Sequence, residues 1–299
     1  MKPGIILTIG MVLLKAIPIH AQTNLKDRTM IADTILVAAT KIEKKRMNFF
    51  VISKPKKFLD PPTKFNILRA KIKSLLHPGK FSCIVAGSAS EMSDKISYRL
   101  HKSNAVIGSL WFDSHGSYAK GYSLFYIGHD EFNFKSIDEP EKMHHLRKLA
   151  AYCDSNTKIG IGSCYGGATY SKPSDSIKEQ RMNGDSLMKK MGLIFSASTI
   201  YACESWVMTK PGLFNEKFAM AGFPLRKKFK DISFEPVWNK LGMWNSYQAI
   251  TGEIKAVNCV TLSKYGDIKI RFNSYQSLEK VKRKIARGKT KLKPNLMKA

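Results

Sequence analysis

Short apolar runs alternate with amphipathic helical patterns through the middle of the chain, and this alternation constrains the fold more than any other feature. The runs that predict strands are Phe81–Ala86, Ala105–Phe112, Ile159–Gly162 and Leu193–Ala197. The patterns that predict helices are Ile67–Leu76, Ser90–Leu100 with Ser90 as its cap, Pro140–Tyr152 and Asp185–Met191, which ends at Gly192. Such alternation favours a parallel sheet covered by helices on both faces. We therefore predict an α/β fold, a three-layer sandwich around a mostly parallel sheet.

Further apolar runs flank this core. Phe49–Ser53 and Tyr122–Ile127 each predict a short strand. Val257–Leu262 and Asp267–Phe272, separated by Ser263–Gly266, predict a C-terminal β-hairpin region, because two strand-like runs are joined by a short polar turn that contains glycine.

The ends of the chain differ from its centre. Residues 1–21 predict a signal peptide, since Lys2 precedes an apolar run, Ile5–Leu14, that is shorter than the roughly 20 residues a membrane span needs; a buried N-terminal helix is the alternative. Residues 22–64 form an N-terminal basic segment, a candidate pro-region that ends in the Pro-rich linker Lys54–Lys64. Residues 65–275 form the main domain and residues 276–299 a basic tail. The protein is expected to be exported, to a periplasmic, cell-surface or extracellular location.

The chain is strongly basic, with 50 Lys and Arg against 23 Asp and Glu and a formal charge of +27. A field of this sign attracts anionic partners such as acidic polymers or lipid surfaces. The basic runs Lys44–Arg46, Lys54–Lys57 and Arg226–Lys230 are candidate contact patches. Few aromatic residues interleave them, and export would separate the protein from DNA, so nucleic acid is disfavoured as a partner.

Cysteine and histidine spacing indicates no metal site. The five cysteines are scattered without a C-x-x-C pair, and an odd number leaves at least one thiol outside any intramolecular disulfide. His144 and His145 have no further ligand at metal-binding spacing, and no D-x-D-x-D-G calcium loop is present. No metal and no organic cofactor are therefore expected.

Two of the predicted strands end at reactive side chains. Ala105–Phe112 leads into Asp113-Ser114-His115-Gly116, and Ile159–Gly162 leads into a Ser-Cys-Tyr-Gly-Gly-Ala stretch that contains Cys164. The carboxyl ends of parallel strands meet at one edge of a sheet, which would bring His115 close to Cys164. A thiolate is a nucleophile and an imidazole can accept its proton, so the two form a candidate catalytic dyad, with Asp113 as a candidate orienting group.

The pair "DSHG" followed by "GSC-x-GG" resembles the caspase, gingipain, clostripain and legumain group of cysteine peptidases. The resemblance covers roughly Phe81 to Val207, under half of the chain, and lacks the Q-A-C-x-G signature of caspases proper; it is closest in style to secreted bacterial members. It implies a caspase-like fold and an endopeptidase that acts on peptide or protein substrates through a thioester acyl-enzyme. It also implies oxyanion donors in the backbone N–H groups of Gly116 and Cys164, and a substrate pocket around Ser205 and Trp206.

Several alternatives remain open from the sequence. His115 could be a structural histidine and Cys164 a small buried residue. The protein could be an inactive member of the peptidase fold, or a basic exported binding protein that docks on an anionic polymer or lipid. A cell-wall transpeptidase is disfavoured, because Ser117 occupies the place where such enzymes carry Cys directly after His-Gly. His129-Asp130 is either a polar turn or an alternative base.

Overall fold

The computed structural model describes residues 44–54, 60–116, 120–169, 171–172, 180–205, 207–222, 237–238, 244–257 and 259–270. The chain divides into two compact units, Met1–Glu43 and Lys44–Ala299, and every described residue belongs to the second. The predicted signal peptide, the basic tail and the basic run Arg226–Lys230 lie outside the described residues, as does most of Lys54–Lys57. No helix within the described ranges is long and apolar enough to cross a membrane.

A seven-stranded sheet forms the centre of the second unit. Its strands, in spatial order, are β14 (Glu253–Val257), β13 (Trp244–Gln248), β9 (Thr199–Cys203), β6 (Lys158–Ile161), β3 (Ala105–Asp113), β1 (Lys45–Ser53) and β2 (Phe81–Ala86). The five neighbouring strands β9, β6, β3, β1 and β2 are parallel to one another, whereas β13 pairs antiparallel with both β9 and β14. The helices are α1 (Pro61–Leu76), α2 (Ala89–Ser103), α3 (Pro140–Ala150) and α4 (Gly184–Ile194). The α/β sandwich with a mostly parallel sheet is therefore confirmed.

Smaller antiparallel pairs surround this sheet. They are β4 (Leu124–Ile127) with β5 (Asp130–Asn133), β7 (Ser171–Lys172) with β8 (Gln180–Arg181), β10 (Val207–Lys210) with β11 (Ala219–Gly222) and β12 (Val237–Trp238), and β15 (Val260–Leu262) with β16 (Ile268–Ile270). The last pair confirms the predicted C-terminal hairpin, although Val257 ends the preceding strand β14 instead.

The central sheet is buried on both faces, which explains why its strands are continuous apolar runs. In β1, Phe49 and Val51 face a core shared with α2, α3, α4 and the β4–β5 hairpin. Phe50 and Ile52 face the opposite core, which α1, β10, β11 and the β15–β16 hairpin cover. Trp111 of β3 lies in this second core, where Gly160 of β6 and Gly162 just after this strand leave room for its indole.

The predicted domain boundary near Lys54–Lys64 is wrong, because β1 lies inside the sheet between β2 and β3 and the unit begins at Lys44. Helix α1 also begins earlier than its apolar periodicity indicates. Asp60 caps it by accepting a hydrogen bond from the Thr63 N–H at 2.8 Å, and two prolines occupy its first turn.

The predicted strand Leu193–Ala197 is also wrong. Helix α4 continues through Gly192 to Ile194, and the strand starts at Thr199. Gly192 does not end the helix, because its role is close packing: a Cβ at this position would lie 2.1 Å from the ring of Tyr247. The cap of α2 is likewise Ser88, whose hydroxyl accepts the Glu91 N–H at 3.2 Å, and not Ser90.

Candidate active site

The topology places the segments that carry His115 and Cys164 at the same edge of the sheet. Strands β3 and β6 are parallel neighbours, with Phe112 opposite Ile161. The Gly162 N–H continues this ladder by donating to the Phe112 carbonyl at 2.8 Å. The two segments then leave the sheet, and His115 and Cys164 each lie three residues after these paired positions. The apolar residues that form the two strands are therefore what brings the two reactive segments together.

Gly116 lies directly against the backbone of Cys164. A Cβ built on Gly116 would be 1.9 Å from the Cys164 carbonyl oxygen and 2.8 Å from its nitrogen, so any larger residue would separate the two segments. The N–H groups of Val207, Gly116 and Cys164 itself approach the Cys164 sulfur and oppose the rise of its pKa. The Val207 nitrogen is 3.5 Å from Sγ. The two backbone N–H groups expected to bind an oxyanion thus both face the thiol.

The His115 side chain projects into solvent, with 80 % of its surface exposed. Its Nε2 lies 3.0 Å from Oδ2 of Asp60, and its Nδ1 forms no hydrogen bond with any described residue. No hydrogen bond joins the imidazole to the Cys164 thiol among the described residues. The backbone before the ring is held by Ser114, whose hydroxyl accepts the Tyr126 N–H at 3.0 Å. The imidazole is therefore fixed on one side by a carboxylate and open on the other.

Asp60 was missed by sequence reasoning, although it is the carboxylate that bonds His115. Burial alone would raise the pKa of Asp60, but hydrogen bonds from the Thr63 N–H, from His115 and from the Thr63 hydroxyl outweigh it and lower the pKa. The side chain is thus an ionised partner for the imidazole at neutral pH. The sequence did hold a signal for its position, since Asp before Pro-Pro is a helix start, but not for its contact with a residue 55 positions away.

Asp113, the predicted orienting group, does not bond His115. Its carboxyl lies beside the Trp111 indole N–H and the Thr209 hydroxyl, two buried donors that form no well-aligned hydrogen bond. Desolvation raises the pKa of Asp113 to about 7; the nearby charge of Asp60 adds to this rise, and the two donors only partly oppose it. The alternation of side chains along β3 accounts for the correction, because Asp113 shares the face of Trp111 and is directed into the second core.

Cys164 lies on a tight, strained turn. Tyr165, which follows it, is buried and has a φ of +60°, a conformation that is unusual for a bulky residue. The Tyr165 N–H donates to the Ser205 carbonyl at 2.9 Å, and the Gly167 N–H donates to the Cys203 carbonyl at 2.8 Å. These bonds attach the turn to the end of β9 and its following loop. Ser205, predicted in the substrate pocket, is 1 % exposed and supports this turn, while Trp206 lies outside the described residues.

Asn245 of β13 is a second residue that sequence reasoning missed. Its side-chain amide donates to the Gly167 carbonyl at 3.1 Å and to Glu204 Oε1 at 2.7 Å. It thereby joins the turn after Cys164 to the loop after β9. Nothing in the local sequence indicates this role, because it depends on the antiparallel pairing that places Asn245 opposite Ala202.

The resting Cys164 side chain is a neutral thiol. Although the residue is only partly buried, desolvation raises its pKa; the three N–H groups around the sulfur oppose the rise and the charge of Asp113 adds to it. No disulfide joins any of the five cysteines, and burial raises the pKa of Cys83, Cys153 and Cys203 to about 12. The Ser205 N–H donates to the Cys203 sulfur, whereas three main-chain N–H groups approach the sulfur of Cys164.

His129, His144 and His145 lie in structural settings. His129 lies between β4 and β5, and Asp130 beside it accepts the Ala89 N–H at 2.7 Å at the start of α2. His144 and His145 lie on α3, where His145 Nδ1 is 3.3 Å from the Ser93 hydroxyl. Within the described ranges, no three His, Cys, Asp or Glu side chains converge closely enough to hold a metal ion.

No protein-family model matches the chain, and no curated protein matches it either. Function is therefore inferred from the fold and from the geometry of this edge of the sheet.

Proposed function

We propose that the protein is an exported cysteine endopeptidase in which Cys164 is the nucleophile and His115 the proton-transfer group. The observation that carries this proposal is the packing of Gly116 on the backbone of Cys164, which leaves no room for even a methyl group between the two segments. It holds the histidine-bearing loop against the thiol while the imidazole stays exposed to a substrate.

The hydrogen bonds at the site support a catalytic role for each residue. Because Nε2 of His115 is bound to Asp60, Nδ1 is the nitrogen available for proton transfer. Cys164 would attack the peptide carbonyl as its thiol proton passes to His115, and the carboxylate of Asp60 would stabilise the imidazolium that forms. The raised pKa of Cys164 fits transfer during attack better than a preformed ion pair.

The later steps follow from the same groups. The oxygen that gains negative charge would accept hydrogen bonds from the N–H groups of Gly116 and Cys164. Collapse of this intermediate breaks the carbon–nitrogen bond, and His115 returns the proton to the departing amine. A thioester remains on Cys164. Water then attacks it, giving up a proton through His115, and releases the carboxylic acid with the free thiol restored.

The test is cleavage of a mixed peptide library by the chain that lacks residues 1–21, under reducing conditions. Cys164→Ala and His115→Ala should each abolish cleavage, whereas Cys153→Ala, which removes a thiol from the opposite end of the sheet, should leave it intact. Cleavage that survives in Cys164→Ala would refute the proposal. A silent parent chain whose Cys164 is also no more reactive toward iodoacetamide than Cys153 would favour an inactive member of the peptidase fold.

A further inference from the structure

Helix α1 differs from an ordinary surface helix because its inward face carries polar side chains beside Ala70 and Ile67, which pack on the second core. Its inward face bears Lys73, which is fully buried and donates from Nζ to the carbonyls of Phe214, Glu216 and Lys264 at 2.7, 2.9 and 3.1 Å. Asn66 on the same face donates to the Thr209 carbonyl at 2.8 Å. These bonds satisfy the polar groups of the inward face and fix the rotation of the helix about its axis.

The outward face of α1 is apolar. At 100° per residue, its exposed apolar side chains fall within one arc about 100° wide. Leu75 is 81 % exposed, and the full stripe consists of Phe65, Leu68, Leu75 and Leu76, with the half-buried Ile72 between them. Phe214, on the loop that Lys73 binds, is also exposed. Five of the nine large apolar side chains exposed in the described part of the chain thus lie on or beside one helix.

Positive charge borders this stripe on both sides. Lys64 and Lys71 flank it along one edge and Arg69 along the other, and no acidic residue occurs between Pro61 and Leu76. At the C-terminal end of the helix, Lys80 and Lys264 lie over the Tyr265 ring at 5.1 and 4.8 Å. An apolar stripe with basic borders is the pattern of a helix that lies in the plane of an anionic lipid surface.

We propose that α1 docks the protein on an anionic lipid bilayer. The apolar stripe inserts between the lipid headgroups, and the lysines and the arginine that border it contact the lipid phosphates. The inserted residues are Phe65, Leu68, Ile72, Leu75 and Leu76. Charge selects this partner over a second copy of the chain: a formal charge of +27 attracts anionic lipid and repels an identical protein. The docking does not depend on peptidase activity.

The experiment compares flotation of the chain that lacks residues 1–21 with vesicles of phosphatidylcholine, alone or mixed with phosphatidylglycerol. The variant is Leu68→Gln/Leu75→Gln, and the matched control is Leu193→Gln/Ile250→Gln, which changes two equally exposed apolar residues elsewhere. The parent should bind only the mixed vesicles and more weakly at high salt. The variant should lose about ten-fold or more in vesicle affinity, and the control should stay within about two-fold.

Three results would overturn the proposal. The parent could fail to bind phosphatidylglycerol vesicles, or the variant could bind as tightly as the parent, which would leave the charges alone responsible. Sedimentation velocity could also show that the parent is a dimer that Leu68→Gln/Leu75→Gln converts to a monomer, in which case the stripe is an interface between copies. Circular dichroism of the variant shows whether lost binding comes from misfolding. If it does, Phe65→Ser tests the same stripe near the N-terminal end of the helix.

Discussion

Asp113 makes the stability of the protein depend on pH in the opposite direction from an ordinary carboxylate. Its pKa in the folded chain is about 7, raised first by desolvation, whereas in an unfolded chain it is near 3.8. Between these values the folded state holds a proton that the unfolded state releases, so stability falls as pH rises through this window and the loss is complete above about pH 7. Asp113→Asn removes the ionisation and should keep most of the packing.

We therefore expect Asp113→Asn to raise the melting temperature by at least about 3 °C at pH 8 and to change it much less at pH 4, as measured by differential scanning calorimetry. Equal shifts at both values would mean that the carboxyl does not titrate in this range. Asp267→Asn, at a partly exposed carboxyl paired with Lys269, serves as the control and should not show this pH-dependent gain.

Asp60 has two separable roles, as the cap of α1 and as the partner of His115. Asparagine is as good a cap as aspartate, whereas alanine costs about 1 kcal/mol. Under the proposed peptidase function, Asp60→Asn should therefore keep the unfolding free energy of the parent and lower kcat/KM by about ten-fold or more, because an amide stabilises an imidazolium less than a carboxylate does. Urea unfolding and peptide hydrolysis measured side by side would show the difference. Unchanged kcat/KM in Asp60→Asn would confine Asp60 to capping.

The residues at the site differ in how far the sequence reveals them. Cys164 and His115 follow apolar strands closely, so parallel pairing alone predicts that their segments lie side by side. Asp60 lies in the segment that follows β1, and Asn245 lies on β13. Their contacts with the site depend on how strands that are distant in sequence pair in the sheet, which no local sequence pattern indicates. Asp113 was assigned the wrong role because the sequence does not show which face of β3 is directed toward His115.

At the scale of elements, α1 is held by one buried lysine. Lys73→Met keeps the length of the side chain but leaves three carbonyls without their donor. We expect a loss of about 2 kcal/mol or more in the free energy of unfolding, measured in urea. Lys71→Met, on the exposed face of the same helix, should change it by less than about 0.5 kcal/mol. Equal effects of the two substitutions would contradict the structural role of Lys73.

Helix α4 packs most closely on strand β13 at Gly192, which lies against the ring of Tyr247. Gly192→Ala would ordinarily gain about 1 kcal/mol in a helix, but here the methyl group meets the Tyr247 ring. Overpacking of this kind costs about 1–3 kcal/mol, so we expect a net loss in urea unfolding. The double variant Gly192→Ala/Tyr247→Leu should be less destabilised than the sum of its two single changes. Strict additivity would show that the ring does not obstruct the methyl group.

The ends of the buried strands were more predictable from the sequence than the ends of the helices. Strands buried on both faces must be continuously apolar, which is why β2 and β3 were found within one residue of their ends. Helix boundaries depend on caps and on close packing: α1 starts at Asp60 because of a side-chain bond, and α4 passes Gly192 because Tyr247 needs the space. The first is local and could have been recognised; the second is tertiary and could not.

At the scale of the whole molecule, the overall charge and the charge at the candidate site have opposite signs. The chain has a formal charge of +27, while Asp60 is ionised and Asp113 has a pKa of about 7 beside Cys164. If the chain is the proposed peptidase, long-range attraction favours acidic substrates during approach, whereas binding at the site depends on short-range contacts. Raising the salt concentration distinguishes the two effects, because it screens the long-range attraction: the Debye length falls from about 10 Å at 0.1 M salt to about 3 Å at 1 M.

Under the proposed peptidase function, a peptide with acidic residues on both sides of the cleaved bond should lose about ten-fold in kcat/KM as salt is raised across that range. A peptide with the same residues at the cleaved bond and uncharged flanks should change by less than about two-fold. The acidic peptide should keep its kcat, because steering acts on encounter and not on the bound complex. A parallel fall for both peptides would place the salt effect in the chemistry or in the stability of the fold, and the net charge would then have no part in substrate capture.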